Sequence, residues 1–363
     1  MSRTHALLSL LAASALLAQS TPPAPPVTLE EYSPKSSVVA AEHPLQRAKF
    51  PFIDFHGHQN NMMSVAAMDK LVGEMDALNL VTMINLSGGY GPKFRDGVKN
   101  MKSKYPKRFS LFCNLDLTKL DDADYSARAA KTLEEDIQAG CEGLKFFKNF
   151  GWTTTDAKGR VAANDARFDA SFRVCAKYKI PVLIHTGDPK QFWEPVDKFN
   201  ERYLELIELP RRRVTKGPKW EELMEEAYTL FRRNKDVNFV HPHLGWLGGD
   251  LGQLGKLMDE LPRYHVDVGA VIAELGRQPR EAKAFVTKYQ DRVLMGKDSW
   301  APKEFTTYFR AFETTDDYFP YHNKRHAFWR MYGMGLDDAV LKKVYYKNAL
   351  RLLPKIDPKP FPK

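Results

Sequence analysis

The feature that most constrains the fold is an alternation of short apolar runs with amphipathic helical segments along most of the chain. The eight strand candidates are Phe50–Phe55, Leu80–Leu86, Phe109–Leu115, Gly143–Phe147, Pro181–His185, Val237–Val240, His265–Val268 and Val293–Met295. Strands that alternate with helices predict parallel βα units. Eight such units favour a closed (β/α)8 TIM-type barrel over an open doubly wound sheet.

The N-terminus predicts export. A weakly basic start is followed by an apolar run over residues 6–18, with the small residues Ala18 and Ser20 at the −3 and −1 positions of a cleavage site. This run is short for a membrane span, so the mature chain is expected to have none, and an uncleaved anchor is the alternative. We therefore divide the chain into a cleavable signal peptide (1–20), a proline-rich leader and N-terminal extension (21–49) and the barrel (50–363) of a periplasmic or extracellular protein.

Composition excludes two other classes of protein. The net charge of +9 is dispersed, and Arg211–Arg213 is the only tight basic cluster, so no nucleic-acid partner is expected. The three cysteines, Cys113, Cys141 and Cys175, are odd in number and include no Cys-x-x-Cys pair. They lie in or beside predicted core segments, which favours buried thiols over a disulfide scaffold.

Three connections are longer than a barrel requires, and each follows the C-terminal end of a strand, the face on which barrel enzymes build their sites. They span 151–167, 188–219 and 300–331, and the last is dense in aromatic residues. We expect these loops to cap that face, with the aromatic residues favouring a ring-bearing small molecule or a sugar. A satellite hydrophobic cluster under the loops is a compatible interpretation.

Polar residues gather at the C-terminal ends of the predicted strands, which converge on one mouth in a closed barrel. They are His56 and His58 at the first strand, Lys145 and Lys148 at the fourth, His185 at the fifth, His241 and His243 at the sixth, and Asp298 at the eighth. Side chains alternate along a strand, so His56 and His58 should share a face, as should His241 and His243. Paired imidazoles suit adjacent positions around a divalent metal, although His-x-His alone also fits two surface histidines.

These segments resemble the metal-dependent amidohydrolase superfamily, in particular the amidohydrolase-related branch that includes aminocarboxymuconate-semialdehyde decarboxylase. The resemblance covers the chain from Phe50 to Leu353. It rests on Ile53-Asp54-Phe55-His56-Gly57-His58, Leu183-Ile184-His185, His243-Leu244-Gly245-Trp246, Leu294-Met295-Gly296-Lys297-Asp298 and Lys347-Asn348-Ala349-Leu350-Arg351-Leu352-Leu353.

The resemblance implies one divalent metal ion, with His243 as an unliganded catalytic histidine. The implied ligands are His56, His58, His185 and Asp298. Zinc is the default ion for such ligands, with manganese and iron as alternatives. Asp298 would also carry a proton to the leaving group, and the resemblance implies a homodimer.

Two residues depart from the family pattern. His241 precedes the expected histidine and could replace His243 or bind a second ion. We favour His243, because it directly precedes the Leu-Gly-Trp turn, and we expect His241 to be packed in the core or to support the site residues from behind. Lys145 lies on the strand where binuclear relatives carry a carboxylated lysine, so a second ion is expected only if Lys145 is carboxylated. Otherwise Lys145 or Lys148 would hold a substrate carboxylate.

The leading prediction is hydrolysis of an amide, ester or lactone by metal-activated water, because export favours a degradative enzyme. The alternative is non-oxidative decarboxylation on the same metal, with Lys145, Lys148 and Arg95 as candidate cations for the departing carboxylate. A non-catalytic metal-binding or sugar-binding barrel is a third prediction. Fold analogy does not separate the first two.

Overall fold

The computed structural model describes residues 24–29, 31–326 and 329–363, so the predicted signal peptide lies outside the described residues. The contacts between residues group the chain into two compact units, one that ends at Lys35 and a second of Ser36–Lys363. The described part of the first unit has no regular helix or strand. No helix among the described residues is long and apolar enough to cross a membrane.

The second unit contains the predicted (β/α)8 barrel. Its eight strands are parallel and neighbour one another in chain order. They are β1 (Phe52–Gly57), β2 (Leu80–Asn85), β3 (Phe109–Asn114), β4 (Gly143–Phe146), β5 (Val182–Ile184), β6 (Phe239–His241), β7 (Tyr264–Asp267) and β8 (Val293–Leu294). Each lies within two residues of its predicted position, so the fold prediction is confirmed.

Hydrogen bonds beyond the end of β8 close the barrel onto β1. The amide of Phe55 donates to the carbonyl of Met295 (2.9 Å), and the amide of Asp298 donates to the carbonyl of His56 (2.7 Å). Gly57 and Asp298 form a parallel bridge. This closure brings the β1 histidines and Asp298 together although they are far apart in sequence.

The helices surround the strands, and two of them lie in the long connections after β5 and β8, for which no helix is predicted. They are α1 (Val65–Leu78), α2 (Gly91–Lys104), α3 (Tyr125–Gln138), α4 (Asp169–Tyr178), α5 (Tyr203–Glu208), α6 (Trp220–Arg233), α7 (Leu251–Glu260), α8 (Ile272–Gly276), α9 (Pro279–Lys288), α10 (Pro302–Glu313), α11 (Asp338–Lys342) and α12 (Asn348–Leu352). A π-helical turn, Lys343–Lys347, joins the last two. Capping residues set the ends of helix α1. The Ser64 side chain caps its first turn, and Asn79, in the left-handed conformation, ends the helix.

The aromatic segment after β8 serves mainly as core. Phe305 and Phe309 of α10 are fully buried, and their ring centroids lie 5.8 and 5.5 Å from that of Phe52 on β1. Tyr308 and Tyr321 instead reach the cavity at the barrel mouth. The segment therefore provides both a hydrophobic cluster and part of the cavity wall.

The prediction of three buried thiols is wrong for two of them. Cys113 on β3 forms a disulfide with Cys141, which lies just before β4, and only Cys175 is a buried free thiol. The parallel register places Phe112 beside Gly143, so the two cysteines become neighbours in the sheet. Their separation of 28 residues carries no local motif, which is why the sequence does not reveal the pair.

Candidate metal centre

The extended end of β1 presents His56 and His58 to the barrel mouth. Asp54, two residues earlier, is buried, and its Oδ1 accepts hydrogen bonds from the backbone amides of His56 and Lys297, both at 3.0 Å. Burial raises the pKa of Asp54 to about 6. Asp54 thus joins the ends of β1 and β8 beneath the histidines and is not among the residues grouped around Asp298.

Asp298 lies within reach of both β1 imidazoles. Its Oδ1 is 3.7 Å from His56 Nε2 and 3.6 Å from His58 Nε2. Ligand atoms that share one ion at about 2.1 Å lie within about 4 Å of each other, so these separations suit a common ion. His243 joins the group, because one ligand atom from each of His56, His243 and Asp298 lies within 4.8 Å of the others.

Hydrogen bonds at the inner ring nitrogens orient three of these imidazoles. The Nδ1 atom of His56 lies 2.8 Å from Asp267 Oδ2, and that of His58 lies 2.8 Å from Ser87 Oγ. The Nδ1 atom of His243 lies 2.7 Å from the carbonyl oxygen of Gly269. When each Nδ1–H donates to its oxygen, the Nε2 lone pair is left for a ligand.

Asp267 is the main site residue that sequence reasoning misses. It is fully buried at the end of β7, and besides binding His56 it accepts hydrogen bonds from the amides of His243 (3.1 Å) and Gly269 (2.9 Å). The sequence could have indicated Asp267, because it is a carboxylate at the C-terminal end of the seventh predicted strand, as Asp298 is at the eighth. Ser87 carried no comparable signal, since serine is common in βα loops.

The two histidines after β6 do not share a face, so the alternation prediction is wrong there. His243 faces His56, with ring centroids 4.9 Å apart. The His241 ring instead packs against Phe231 of α6 (5.5 Å), and its Nδ1 lies 2.8 Å from Tyr264 Oη. The structure thus gives His241 a place in the packing beneath α6 and away from the ligand cluster.

The cause is a left-handed turn that begins two residues after the end of β6. His243, Leu244, Gly245 and Trp246 have φ angles of 59°, 55°, 59° and 58°. Alternation applies only to extended backbone, so this turn resets the direction of His243. Left-handed backbone is costly for residues with a side chain, and such strain is concentrated at functional sites.

His185, the predicted fourth ligand, lies on the other side of His243. Their ring centroids are 4.6 Å apart, and His185 Nε2 is 3.9 Å from Asp188 Oδ1. The second oxygen of Asp188 accepts a hydrogen bond from Lys148 Nζ at 2.9 Å. The structure therefore brings all four predicted ligands and His243 to one mouth, with His243 nearer the His56–Asp298 group than the sequence alone predicts.

The remaining candidate cations, Lys145 and Arg95, have different surroundings. Lys145 is 1% exposed, and its Nζ has no hydrogen-bonding partner among the described residues. Arg95 belongs to α2 and pairs with Glu135 (2.7 Å) and Asp136 (3.1 Å) of α3. Arg95 is therefore not a site residue, because its side chain is used to join two helices.

Burial favours the neutral form of His58, His185 and His243. It lowers the pKa of His58 to about 3 and that of His243 to about 4, and neighbouring positive charge adds to both effects. The pKa of His185 is likewise well below its usual value because of burial. Metal ligands must be deprotonated, so these side chains are ready to bind an ion at neutral pH.

A cavity of about 520 Å³ opens above the cluster. Residues of the two long connections after β5 and β8 line it, as expected, whereas no described residue of 151–167 does. The lining residues include Lys148, Arg202, Arg212, His243, Asp298 and Glu304. This size suits a small-molecule substrate.

An eight-stranded barrel with imidazoles and a carboxylate at its C-terminal mouth defines the class of metal-dependent barrel enzymes. A family model described as amidohydrolase matches residues 101–355, more than half of the chain, and the protein belongs to that family. The matched residues begin after β1, so the His-x-His pair lies outside them. No curated protein matches this sequence.

Solved structures share the fold at low sequence identity. A putative amidohydrolase from Staphylococcus aureus is 15% identical, with a TM-score of 0.53 over 84% of this chain and 99% of its own. A 2,6-dihydroxybenzoate decarboxylase bound to 2,6-dihydroxybenzoate is 15% identical, with a TM-score of 0.53 over 84% of this chain and 98% of its own. A 5-carboxyvanillate decarboxylase from Novosphingobium aromaticivorans, complexed with manganese, is 13% identical, with a TM-score of 0.51 over 86% of this chain and 100% of its own.

Proposed function

We propose that the protein is an exported, metal-dependent hydrolase that cleaves an amide, ester or lactone in a small molecule. The observation that carries the proposal is the position of Asp298. Its carboxylate is close to His56 Nε2 and His58 Nε2, yet it is 34% exposed and opens into the cavity, whereas the His56 side chain is fully buried. One group can therefore contact both the ion and the reacting atoms.

The chemistry of the donor set fits a divalent ion. The Nε2 atoms of His56 and His185 are buried without hydrogen-bonding partners, which a shared ion would explain, and the equally unpaired Nε2 of His243 is left to act on a proton. We propose His56, His58, His185 and Asp298 as the ligands and zinc as the ion, with manganese or iron as alternatives. Such an ion supplies a Lewis acid that activates water and polarises a carbonyl.

In this proposal His243 and Asp298 handle protons. Neutral His243 accepts a proton from the attacking water, and the imidazolium that results can stabilise the negative charge that develops on the substrate carbonyl oxygen. Asp298, exposed to the cavity, carries that proton onward to the leaving group. Asp267 positions both His56 and His243 through its three hydrogen bonds.

Decarboxylation is the second candidate, and the unpaired ammonium of Lys145 favours it. A buried cation beside the ligands could hold a carboxylate before its C–C bond breaks. Carbon dioxide would then leave, and the electron pair on the remaining carbon would take up a proton. Release of carbon dioxide, as opposed to release of an acid and an alcohol or amine, separates the two reactions.

The Cys113–Cys141 disulfide supports the export part of the proposal, because stable disulfides are rare in reducing compartments. Expression with the native N-terminus should give a periplasmic or secreted product that lacks the first twenty residues, as measured by mass spectrometry. Light scattering of that product tests the homodimer that the family resemblance implies.

The proposed activity is tested with protein purified without chelators. We expect about one divalent ion per chain and hydrolysis of some members of a panel of esters, lactones and amides. Chelation should abolish turnover, and zinc or manganese should restore it. Absence of bound metal, together with no activity after metal addition, would exclude a metal-dependent enzyme.

A further inference from the structure

Strand β2 supplies none of the predicted ligands, yet its last residue is a buried amide at the barrel mouth. Asn85 is fully buried, and the parallel register places it beside Gly57, between the two β1 histidines. Its Oδ1 accepts hydrogen bonds from the backbone amides of Gln59 (2.9 Å) and Ser87 (3.2 Å), and its Nδ2 donates to the carbonyl of Gln59 (3.2 Å). One side chain therefore joins the loop after β1 to the loop after β2.

Both sets of hydrogen bonds act on His58. Gln59 follows His58 in the chain, so the pairing of its N–H and C=O groups with Asn85 fixes the backbone that leaves β1. Ser87 Oγ lies 2.8 Å from His58 Nδ1, so the bond from the Ser87 amide to Asn85 holds the residue that orients this imidazole. Two routes thus lead from Asn85 to the His58 ring.

The other β1 histidine is supported differently. His56 is fully buried, its Nδ1 lies 2.8 Å from the Asp267 carboxylate, and its amide donates to Asp54 (3.0 Å). The His58 side chain is 27% exposed, and the partner of its Nδ1 is the Ser87 hydroxyl. A hydrogen bond to an uncharged hydroxyl is weaker than one to a carboxylate. The orientation of His58 therefore depends more on how firmly its neighbours are held.

The loop that carries Ser87 is also held from its other side. At the end of β3, Asn114 Oδ1 accepts a hydrogen bond from the amide of Gly89 (2.7 Å), and its Nδ2 donates to the carbonyl of Leu86 (3.2 Å). Strands β2 and β3, which carry none of the proposed ligands, thus each end in an asparagine that holds this loop. Only the β2 asparagine, Asn85, also bonds the loop after β1.

We propose that Asn85 is a positioning residue for the metal ligand His58 and holds its ring in place through Gln59 and Ser87. The inference rests on the metal centre of the proposed function and is independent of which bond the enzyme breaks. Residues that orient metal ligands typically contribute about 10- to 100-fold to metal affinity. Asn85 should therefore affect binding of the ion although it contacts neither the ion nor the substrate.

The zinc affinity of Asn85→Ala, measured by competition with a chelating dye, tests the proposal without requiring turnover. We expect zinc to bind about tenfold or more weakly than to wild-type protein. The visible spectrum of the cobalt-loaded protein, which reports the geometry of the ligands, should change as well. Ser87→Ala should also weaken zinc binding, and the double variant should lose less than the product of the two single losses, because both changes act on the same ring.

Asn100→Ala is the matched control. Asn100 Nδ2 also holds the loop after β1, since it donates to the carbonyls of Asn61 (3.0 Å) and Met63 (2.9 Å), but these residues lie farther along the loop from His58. This variant should lower the melting temperature, as Asn85→Ala does. It should keep zinc affinity within about twofold of wild type and leave the cobalt spectrum unchanged.

Unchanged zinc affinity in Asn85→Ala, or an equal loss of affinity in Asn100→Ala, would overturn the proposal. Fully multiplicative losses in the double variant would also contradict it, because Asn85 and Ser87 would then act separately. If Asn85→Ala fails to fold, Asn85→Thr, which suits a strand and lacks the amide donor, serves as the second variant. Wild-type protein that binds no zinc would refute the proposed metal centre itself, whereas the other failures would refute only the role of Asn85.

Discussion

The chain contains two His-x-His pairs at strand ends, and their side chains are placed differently. In His56-Gly57-His58, at the end of β1, both rings lie near Asp298. In His241-Pro242-His243, which begins at the last residue of β6, only the second ring reaches the cluster, and the first packs under α6. Equal spacing thus gives two ligand candidates in one place and only one in the other.

Backbone conformation makes the difference. Strand β1 remains extended through Gly57, so alternation places its two histidines on one face. Strand β6 ends at His241, and the left-handed turn of 243–246 follows within two residues. A spacing rule is therefore valid only as far as the strand continues, and the β6 pair is the place where the rule fails.

The largest effect is expected from His56→Ala in the β1 pair. The change removes a fully buried ring and an Nε2 atom of the cluster and leaves Asp267 without its imidazole partner. Bound metal should fall from about one ion per chain to none, and the melting temperature should fall with it, because metal binding contributes to folding stability. Elemental analysis and calorimetry measure both, and a variant that keeps its metal would contradict the role given to the β1 pair.

The β6 pair should respond unequally. His243→Ala should retain metal and lose about 10²- to 10⁴-fold in turnover, the range for loss of a general acid or base. His241→Ala should keep turnover within about twofold and lose about 1–3 kcal/mol of unfolding free energy, because it deletes a buried, hydrogen-bonded ring. Kinetics and urea unfolding of the two variants provide the test. The reverse pattern would show that the catalytic histidine is His241.

The substitution His185→Ala tests whether His185 or His243 binds the metal. If His185 is the fourth ligand, its removal should reduce metal affinity while His243→Ala leaves it unchanged. Titration of each variant with zinc measures the difference. Loss of affinity only in His243→Ala would instead make His243 the ligand, in keeping with its closeness to His56 and Asp298.

A smaller effect is expected at the turn itself. Gly245 has φ 59°, and a Cβ there would lie 2.7 Å from Tyr264 Oη and 2.9 Å from His241 Nδ1. Gly245→Ala should therefore cost about 1–3 kcal/mol of unfolding free energy and lower turnover by displacing His243. Gly249→Ala is the matched control, since a Cβ there meets nothing within 4 Å, and should change stability by less than about 0.5 kcal/mol. Equal losses in the two variants would show that the turn imposes no special constraint.

The smallest expected effect is on the pH dependence of stability, and it comes from His265, which lies outside both His-x-His pairs. Burial lowers the pKa of His265 from 6.5 to about 4, so the unfolded chain binds a proton in this interval that the folded chain does not. Unfolding free energy should therefore fall as the pH falls from 6.5 towards 4. Between pH 6.5 and 5.5 the fall should be about 1 kcal/mol smaller in His265→Gln than in wild type, as measured by urea unfolding. Identical pH slopes would contradict a neutral buried His265.

Much of the fold and part of the site could be predicted because both depend on strand positions. Apolar runs located the eight strands, and closure of the barrel then placed the residues at their C-terminal ends around one mouth. What the sequence did not reveal depends on local turns and on side-chain pairing. The direction of His243 relative to His241 depends on a left-handed turn, and the exclusion of Arg95 depends on carboxylates of a neighbouring helix.

The missed partners have a similar cause. Asp267 matters because its carboxylate meets His56, and the disulfide exists because Cys113 and Cys141 lie on neighbouring strands. Each is a contact between distant segments with no local motif. The strand-end pattern could have indicated Asp267, whereas nothing comparable indicated the disulfide.

The central claim is that a metal ion occupies the barrel mouth between the β1 pair and Asp298. Anomalous X-ray diffraction from crystals of protein purified without chelators tests it most directly, because the signal gives both the position and the identity of the ion. We predict a peak within about 2.5 Å of His56 Nε2, His58 Nε2 and an Asp298 carboxylate oxygen. A fully occupied peak elsewhere, or no peak after soaking with zinc and with manganese, would contradict the claim.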